Sequence, residues 1–291
     1  MIGWVLLAIG AELVTPAGHL ANAPADRCGG YFHVWDWLGC YLNAALMRIA
    51  LNGSTLGPCS LADELAAAAQ AGFKLVELRA PKLAEVKNLK ALLDGHGLEA
   101  WSINSLEGAG ERNLREEARK QAAWAAGCGC PYVICVPGQR REGLEEAVAE
   151  LAAICHVEGA TLAFEFMGFS WSAVRTLREA LEVHPGPIVI DTFHWMLGDR
   201  NLDDLAALAP ERLAVVHVND APSRDLAALG DSDRVLPGEG VLELEDFHRV
   251  LAETGFDGVF SVELFNPRIW GEGALPAARR AHRAMVSEFR V

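Results

Sequence analysis

The sequence predicts an α/β chain, a (β/α)8 TIM barrel, and three observations carry that reading. Eight short runs rich in Val, Ile and Leu recur along the chain. Longer segments of helical period separate them, the alternation expected of parallel strands buried on both faces under covering helices. The length of 291 residues also fits, because about 250 residues commonly form one such barrel and eight strands close it.

The runs are RIAL (48–51), KLVELR (74–79), LEAWSI (98–103), YVICV (132–136), TLAFEF (161–166), PIVID (187–191), LAVVHV (213–218) and VFSVE (259–263). After the first comes LADELAAAAQAG, with Ser60 placed as N-cap and Gly72 near its end; after the third comes LREEARKQAAWAAG, closed by Gly127. Later helix candidates are EEAVAELAAICHVEG, WSAVRTLREALEV, LDDLAALA, EDFHRVLAETG and LPAARRAHRAMVSEFR. The longest connection, NDAPSRDLAALGDSDRVLPGEGVLE, follows the seventh run. In a barrel it leaves the C-terminal face, where active sites of this fold are built.

Residues 1–46 read differently. They hold no lysine, a single arginine at Arg27, and Trp4, Trp35 and Trp37 among the eight tryptophans of the chain. Their apolar opening lacks the basic start of a secretory signal and is too short to span a bilayer. The division expected is an N-terminal extension over 1–46 and a single barrel over 47–291, with Met47 as the physiological start.

Composition narrows the partners. Apolar residues make up 51% and charged residues 22% of the chain, as in soluble globular proteins. A net charge of −14 lacks the basic footprint that neutralises phosphates, so neither nucleic acid nor membrane is expected. A divalent cation and a neutral polyol are compatible with it. The seven cysteines have no disulfide rhythm, which fits a reducing, cytoplasmic setting. Cys128 and Cys130 lack the second pair that would complete a metal site. Oligomeric state is not encoded in any pattern of the sequence.

The chemistry gathers where the last four runs end: Glu165, Asp191, His217 and Glu263. Any one alone is accounted for by a helix cap or an ion pair. Four ionisable groups at equivalent places on consecutive apolar strands are another matter, since burying them is costly unless they are paired or metal-bound. Inward parity at the C-terminal ends aims four such side chains at one point. Three carboxylates and an imidazole suit one divalent ion, Mn2+, Zn2+, Co2+ or Mg2+, and are too oxygen-rich for a structural zinc site.

From Met47 to about Trp270 the chain resembles the sugar phosphate isomerase/epimerase family of xylose isomerase-like barrels, and in particular its inosose isomerase branch. The segments that carry the resemblance are LVELR, YVICVP, FEFMG, IDTFHWMLG, HVNDAP followed by DRVLPGEG, and SVELFNP, in family order. The resemblance implies that Glu165, Asp191, His217 and Glu263 are the metal ligands. It also implies that His194 and Arg234 touch substrate oxygens, with Glu77 at a position where the family carries a glutamate. Ser170, Trp171 and Trp195 depart from it, and Trp195 is expected to line the pocket.

The reaction so implied is isomerisation or epimerisation of a small polyhydroxylated ketone such as 2-keto-myo-inositol (inosose), an activity of inositol catabolism and carbohydrate metabolism. Proton transfer through a metal-stabilised enediolate would use Glu165 and Glu263 as acid and base. Ketose 3-epimerase, hydroxypyruvate isomerase and dehydratase chemistry remain open on the same site. Apurinic-site endonuclease activity is disfavoured by the acidic charge, and a non-catalytic polyol binder by the complete ligand set. No phosphate-binding glycine loop follows the last two strands, which favours an unphosphorylated substrate.

Overall fold

The computed structural model describes residues 48–225 and 228–289, and within them the eight runs form one closed barrel in sequence order. Its strands are β1 Arg48–Asn52, β2 Leu75–Arg79, β3 Glu99–Ala109, β4 Tyr132–Pro137, β5 Thr161–Glu165, β6 Ile188–Asp191, β7 Leu213–Val218 and β8 Val259–Val262. All pairings are parallel, and β1 pairs with both β2 and β8, which leaves no edge unpaired. The division at residue 46, the expected start at Met47, Cys28 and Cys40 lie outside the described residues. No helix among the described residues is long and apolar enough to cross a membrane.

β3 departs most from expectation. The sequence pattern stops it at Ile103, yet the strand continues to Ala109 and shifts register against β2 and β4. Arg79 opposite Asn104 is its last pairing with β2, so the segment from Ser105 onward runs on beside β4 alone. Period-2 alternation cannot anticipate such an overrun, because its residues, NSLEGA, are mixed in polarity.

The helices are α1 Leu61–Ala71, α2 Leu89–His96, α3 Arg115–Cys128, α4 Leu144–Val157, α5 Leu177–Val183, α6 Thr192–Leu197, α7 Leu202–Ala206, α8 Glu245–Glu253, α9 Pro267–Trp270 and α10 Ala274–Phe289. Ser60 caps α1 by accepting from the Asp63 amide, and Gly72 ends it in the left-handed conformation, as expected. α3 runs past Gly127 and closes instead at Gly129, whose φ of 77° supplies the left-handed turn. The expected helix WSAVRTLREALEV shortens to α5, since Thr176 and Glu179 form a reciprocal capping box that sets the first turn there.

Of three apolar clusters among the described residues, two are formed chiefly by the strands and the helices around them. A large one lies between the strands and the helices. A small one fills the barrel itself: Ala50, Leu75, Ile134, Ala163, Val189, Val215 and Val259, joined by Ala214, with Trp101, Tyr132 and Val136 packed against it. Burying a side chain such as Ile134 contributes roughly 1.5–3 kcal/mol. Two residues further along each strand, on the same parity, stand Asn52, Glu77, Val136, Glu165, Asp191, His217 and Ser261. One step of the strand repeat therefore changes an apolar floor into a polar layer.

Candidate active site

Ligating atoms of Glu165, Asp191, His217 and Glu263 all lie within 4.8 Å of one another, and all four residues are buried. β6 and β7 are in register at Asp191 and His217, while the Glu263 amide donates to Val218 O at 3.2 Å. His217 Nδ1 faces the cluster, 3.2 Å from Glu165 Oε1 and 3.3 Å from Glu263 Oε2. Its other nitrogen, Nε2, meets the Glu77 carboxylate at 3.1 Å. A histidine held through one nitrogen by a carboxylate while the other faces the ligand set is the arrangement that orients metal-bound imidazoles.

The carboxylate side of the cluster is braced by amides and by one arginine. Asp191 caps α6, its Oδ1 accepting from the amides of Phe193 (2.8 Å) and His194 (3.0 Å). Its Oδ2 accepts from Asn219 Nδ2 at 2.8 Å and from Arg234 Nη1 at 2.8 Å. The same Nη1 donates to Glu263 Oε2 at 3.1 Å, and Asn52 Nδ2 donates to Glu263 Oε1 at 3.0 Å. Arg234 Nη2 contacts Asp231 and His194 Nε2, the latter at 3.0 Å. Because a guanidinium only donates, His194 Nε2 accepts, and the ring proton sits on Nδ1, which has no protein partner.

Charge explains the titration behaviour. Burial pushes the Glu165 carboxyl up to about 7 against the pull of His217. Burial also raises Asp191, although Arg234 opposes it. Burial alone would raise Glu263, but His217 and then Arg234 outweigh it and hold the carboxyl well below the usual range. Burial would lower His217, yet Glu263, Glu77 and Glu165 hold the imidazole well above its ordinary value. His194 is driven well below it by burial and by the neighbouring Arg234. Arg234 remains charged: burial opposes the charge, and Asp191, Asp231 and Glu263 more than restore it. Four buried carboxylates, Glu77 included, thus face one arginine and one histidine, and a divalent ion fits the missing positive charge and the donor set.

The cluster opens on a cavity of about 500 Å³ lined by Glu165, His194, Arg234 and Glu263 together with Arg79, Asn104 and Trp171. Glu77 does not border it. Its carboxylate lies wholly buried beneath the cluster, taken up by Ser102, Asn52 and His217. Trp195, expected at the pocket, packs instead against Phe247 at 5.4 Å, because the turn of α6 that brings His194 to the cavity points the next side chain into the outer core. Trp171 stacks on Phe169 at 5.5 Å and is 47% exposed at the rim.

The long connection after β7 delivers Arg234. Asp220 and Val235 pair as an antiparallel bridge, and Asp220 accepts from the amides of Ala221, Gly240 and Leu242. A Cβ on Gly240 would stand 2.3 Å from Asp220 Oδ1 and from Ala221 O, so only glycine closes this loop. Gly168 likewise lets the segment after β5 pass α6, where a Cβ would meet His194 O at 2.3 Å. Asn52 and Asn219 escape a search for titratable ligands; their inward parity two residues beyond Ala50 and His217 is the signal that finds them.

Fold and site together define a parallel barrel with a buried, oxygen-rich cluster at its C-terminal mouth that could hold a cation. Residues 65–286 match the xylose isomerase-like TIM barrel family, and the chain belongs to it. The inosose isomerase of Bacillus velezensis is 26% identical over 275 residues, covering 84% of this chain and 98% of that protein. A 3-dehydroshikimate dehydratase of Pseudomonas aeruginosa is 24% identical over 250 residues, 77% of this chain and 38% of that protein. The crystal structure of the IOLI protein with a bound zinc atom superposes with a TM-score of 0.76 at 25% identity, covering 84% of this chain and 98% of that one.

Proposed function

We propose that this protein is a divalent-metal-dependent isomerase or epimerase of a small polyhydroxylated ketone, with 2-keto-myo-inositol as the substrate. The observation that carries the proposal is the joining of Glu165, Asp191, His217 and Glu263 at the base of a cavity of about 500 Å³. The similarity to inosose isomerases over nearly their whole length supports the choice of ketone, and the zinc of the IOLI protein supports the choice of a divalent ion.

Moving a carbonyl along a polyol requires removing a proton from the adjacent carbon, a very weak acid. Glu165, Asp191, His217 and Glu263 would hold a divalent ion, which would supply Lewis-acid stabilisation of the negative charge that develops. Glu165 and Glu263 both border the cavity, where their carboxylates can take and return that proton. His194 offers its Nδ1 proton to a substrate oxygen, and Arg234 fixes the charge and position of Asp191 and Glu263 while bordering the same space.

Dehydration after the same proton abstraction is the second reading, favoured by the similarity to the dehydroshikimate enzyme. Proton NMR of 2-keto-myo-inositol in D2O separates the two. Deuterium uptake that vanishes on chelation and returns with Mn2+ or Zn2+, together with a new saturated ketone, supports isomerisation. New olefinic signals support dehydration. No uptake by enzyme shown to hold metal defeats the proposal for this ketone.

A further inference from the structure

Across the mouth from β6 and β7 stand β2 and β3, whose last paired residues are Arg79 and Asn104. Asn104 is only 4% exposed, and neither its Nδ2 nor its Oδ1 has a partner within the protein. Such an amide is rare, since a buried donor and acceptor left unmet lose their hydration without return. Asn104 borders the same cavity as Glu165 and Glu263. Beside it, Arg79 gives Nη1 to Ser54 Oγ at 2.6 Å and rests over the Phe265 ring at 5.4 Å, while its Nε is also without a partner. Glu107 lies 3.9 Å from Arg79 Nη2, too long for a hydrogen bond.

We propose that Asn104, flanked by Arg79, forms a second subsite that grips a neutral hydroxyl of the substrate remote from the reacting carbons. The chemistry of the amide selects this ligand. Asn104 presents a donor and an acceptor together, and both atoms are unmet whichever way the amide is turned. A hydroxyl donates and accepts, so one vicinal pair satisfies both atoms. A carboxylate or phosphate only accepts, and would leave the buried Oδ1 of Asn104 unmet. The reacting end of the ligand then lies against the ligand residues of β5–β8, and its far end against β2–β3.

This inference rests on the polyol-ketone reading, and two measurements on Mn2+-loaded full-length protein keep them apart. One is the affinity for non-reacting myo-inositol and for quinate, read from paramagnetic broadening of their proton resonances. The other is KM and kcat for α-proton exchange in 2-keto-myo-inositol. Asn104→Ala is expected to weaken myo-inositol about tenfold and to raise KM by a similar factor with a smaller change in kcat, the scale of one lost hydrogen-bonding group. Asn104→Leu, close to the native residue in volume, removes both donor and acceptor and covers the case in which the smaller side chain perturbs the rim; the same loss is expected. Unchanged myo-inositol affinity and KM in Asn104→Leu overturn the subsite, as does a fall in kcat or in Mn2+ affinity with KM unmoved. A wild-type preference for quinate overturns the choice of a neutral hydroxyl. Protein that exchanges no ketone proton but binds myo-inositol through Asn104 keeps the subsite and defeats the isomerase reading, whereas silence in both measurements defeats both.

Discussion

The floor of the barrel and the layer directly above it are built on the same strands, two residues apart, and obey opposite rules. In the floor Ala50, Ile134, Val189 and Val215 pack in one apolar cluster, and their contribution is burial. Above them Asn52, Glu77, Asp191 and His217 are just as inaccessible, yet every one is engaged by hydrogen bonds or ion pairs. An apolar floor and a polar layer are thereby separated along the barrel axis at a spacing of one strand repeat. Changes in the upper layer should reach metal and proton transfer, and changes in the floor should reach the fold.

The sharpest test is Glu263→Gln, which keeps the shape of the side chain and removes its basicity and charge. Exchange of the ketone α-proton is expected to fall by roughly a thousandfold or more, measured by NMR in D2O, with little loss of thermal stability. Full exchange would remove Glu263 from the acid–base pair. In the floor, Ile134→Ala is expected to cost about 3 kcal/mol of unfolding free energy, read from denaturant melts. Metal affinity should be retained, and its parallel loss would show that the two layers are not separable. The smallest effect belongs to Glu77→Gln, which keeps the contact with His217 Nε2 while removing the charge. Titration of Mn2+ or Zn2+ should show affinity lowered about 10- to 100-fold, with KM unchanged at saturating metal. A raised KM at unchanged metal affinity would instead make Glu77 a substrate contact.

The strands were readable because each is a compact apolar run, and buried parallel strands leave that mark in sequence. Helix ends were readable where a local cap decided them, as at Ser60 and Gly72, and misread at Gly127, where a second glycine two residues on takes the left-handed turn. The four candidate ligands were visible because an ionisable group ending an apolar strand is anomalous in itself. Asn104 carried no such mark: a neutral amide after LEAWSI reads as a turn residue until β3 is seen to continue through it. Trp195 was misplaced for a related reason, since a six-residue helix turns successive side chains about 100° apart and the sequence does not say which one meets the cavity.

What the sequence by itself determined is the alternation of elements, the closure it implies and the residue types at the strand ends. These follow from local periodicity and from the cost of burying charge. The tertiary structure decided which of those residues share a cavity and which stand behind them: Glu77 beneath His217, Arg234 carried in by a loop pinned at Asp220, and Asn104 unpartnered across the mouth. Each depends on contacts between segments as much as 140 residues apart, as from Glu77 to His217. Periodicity reports the face on which a side chain stands, and only the closed barrel determines what stands opposite.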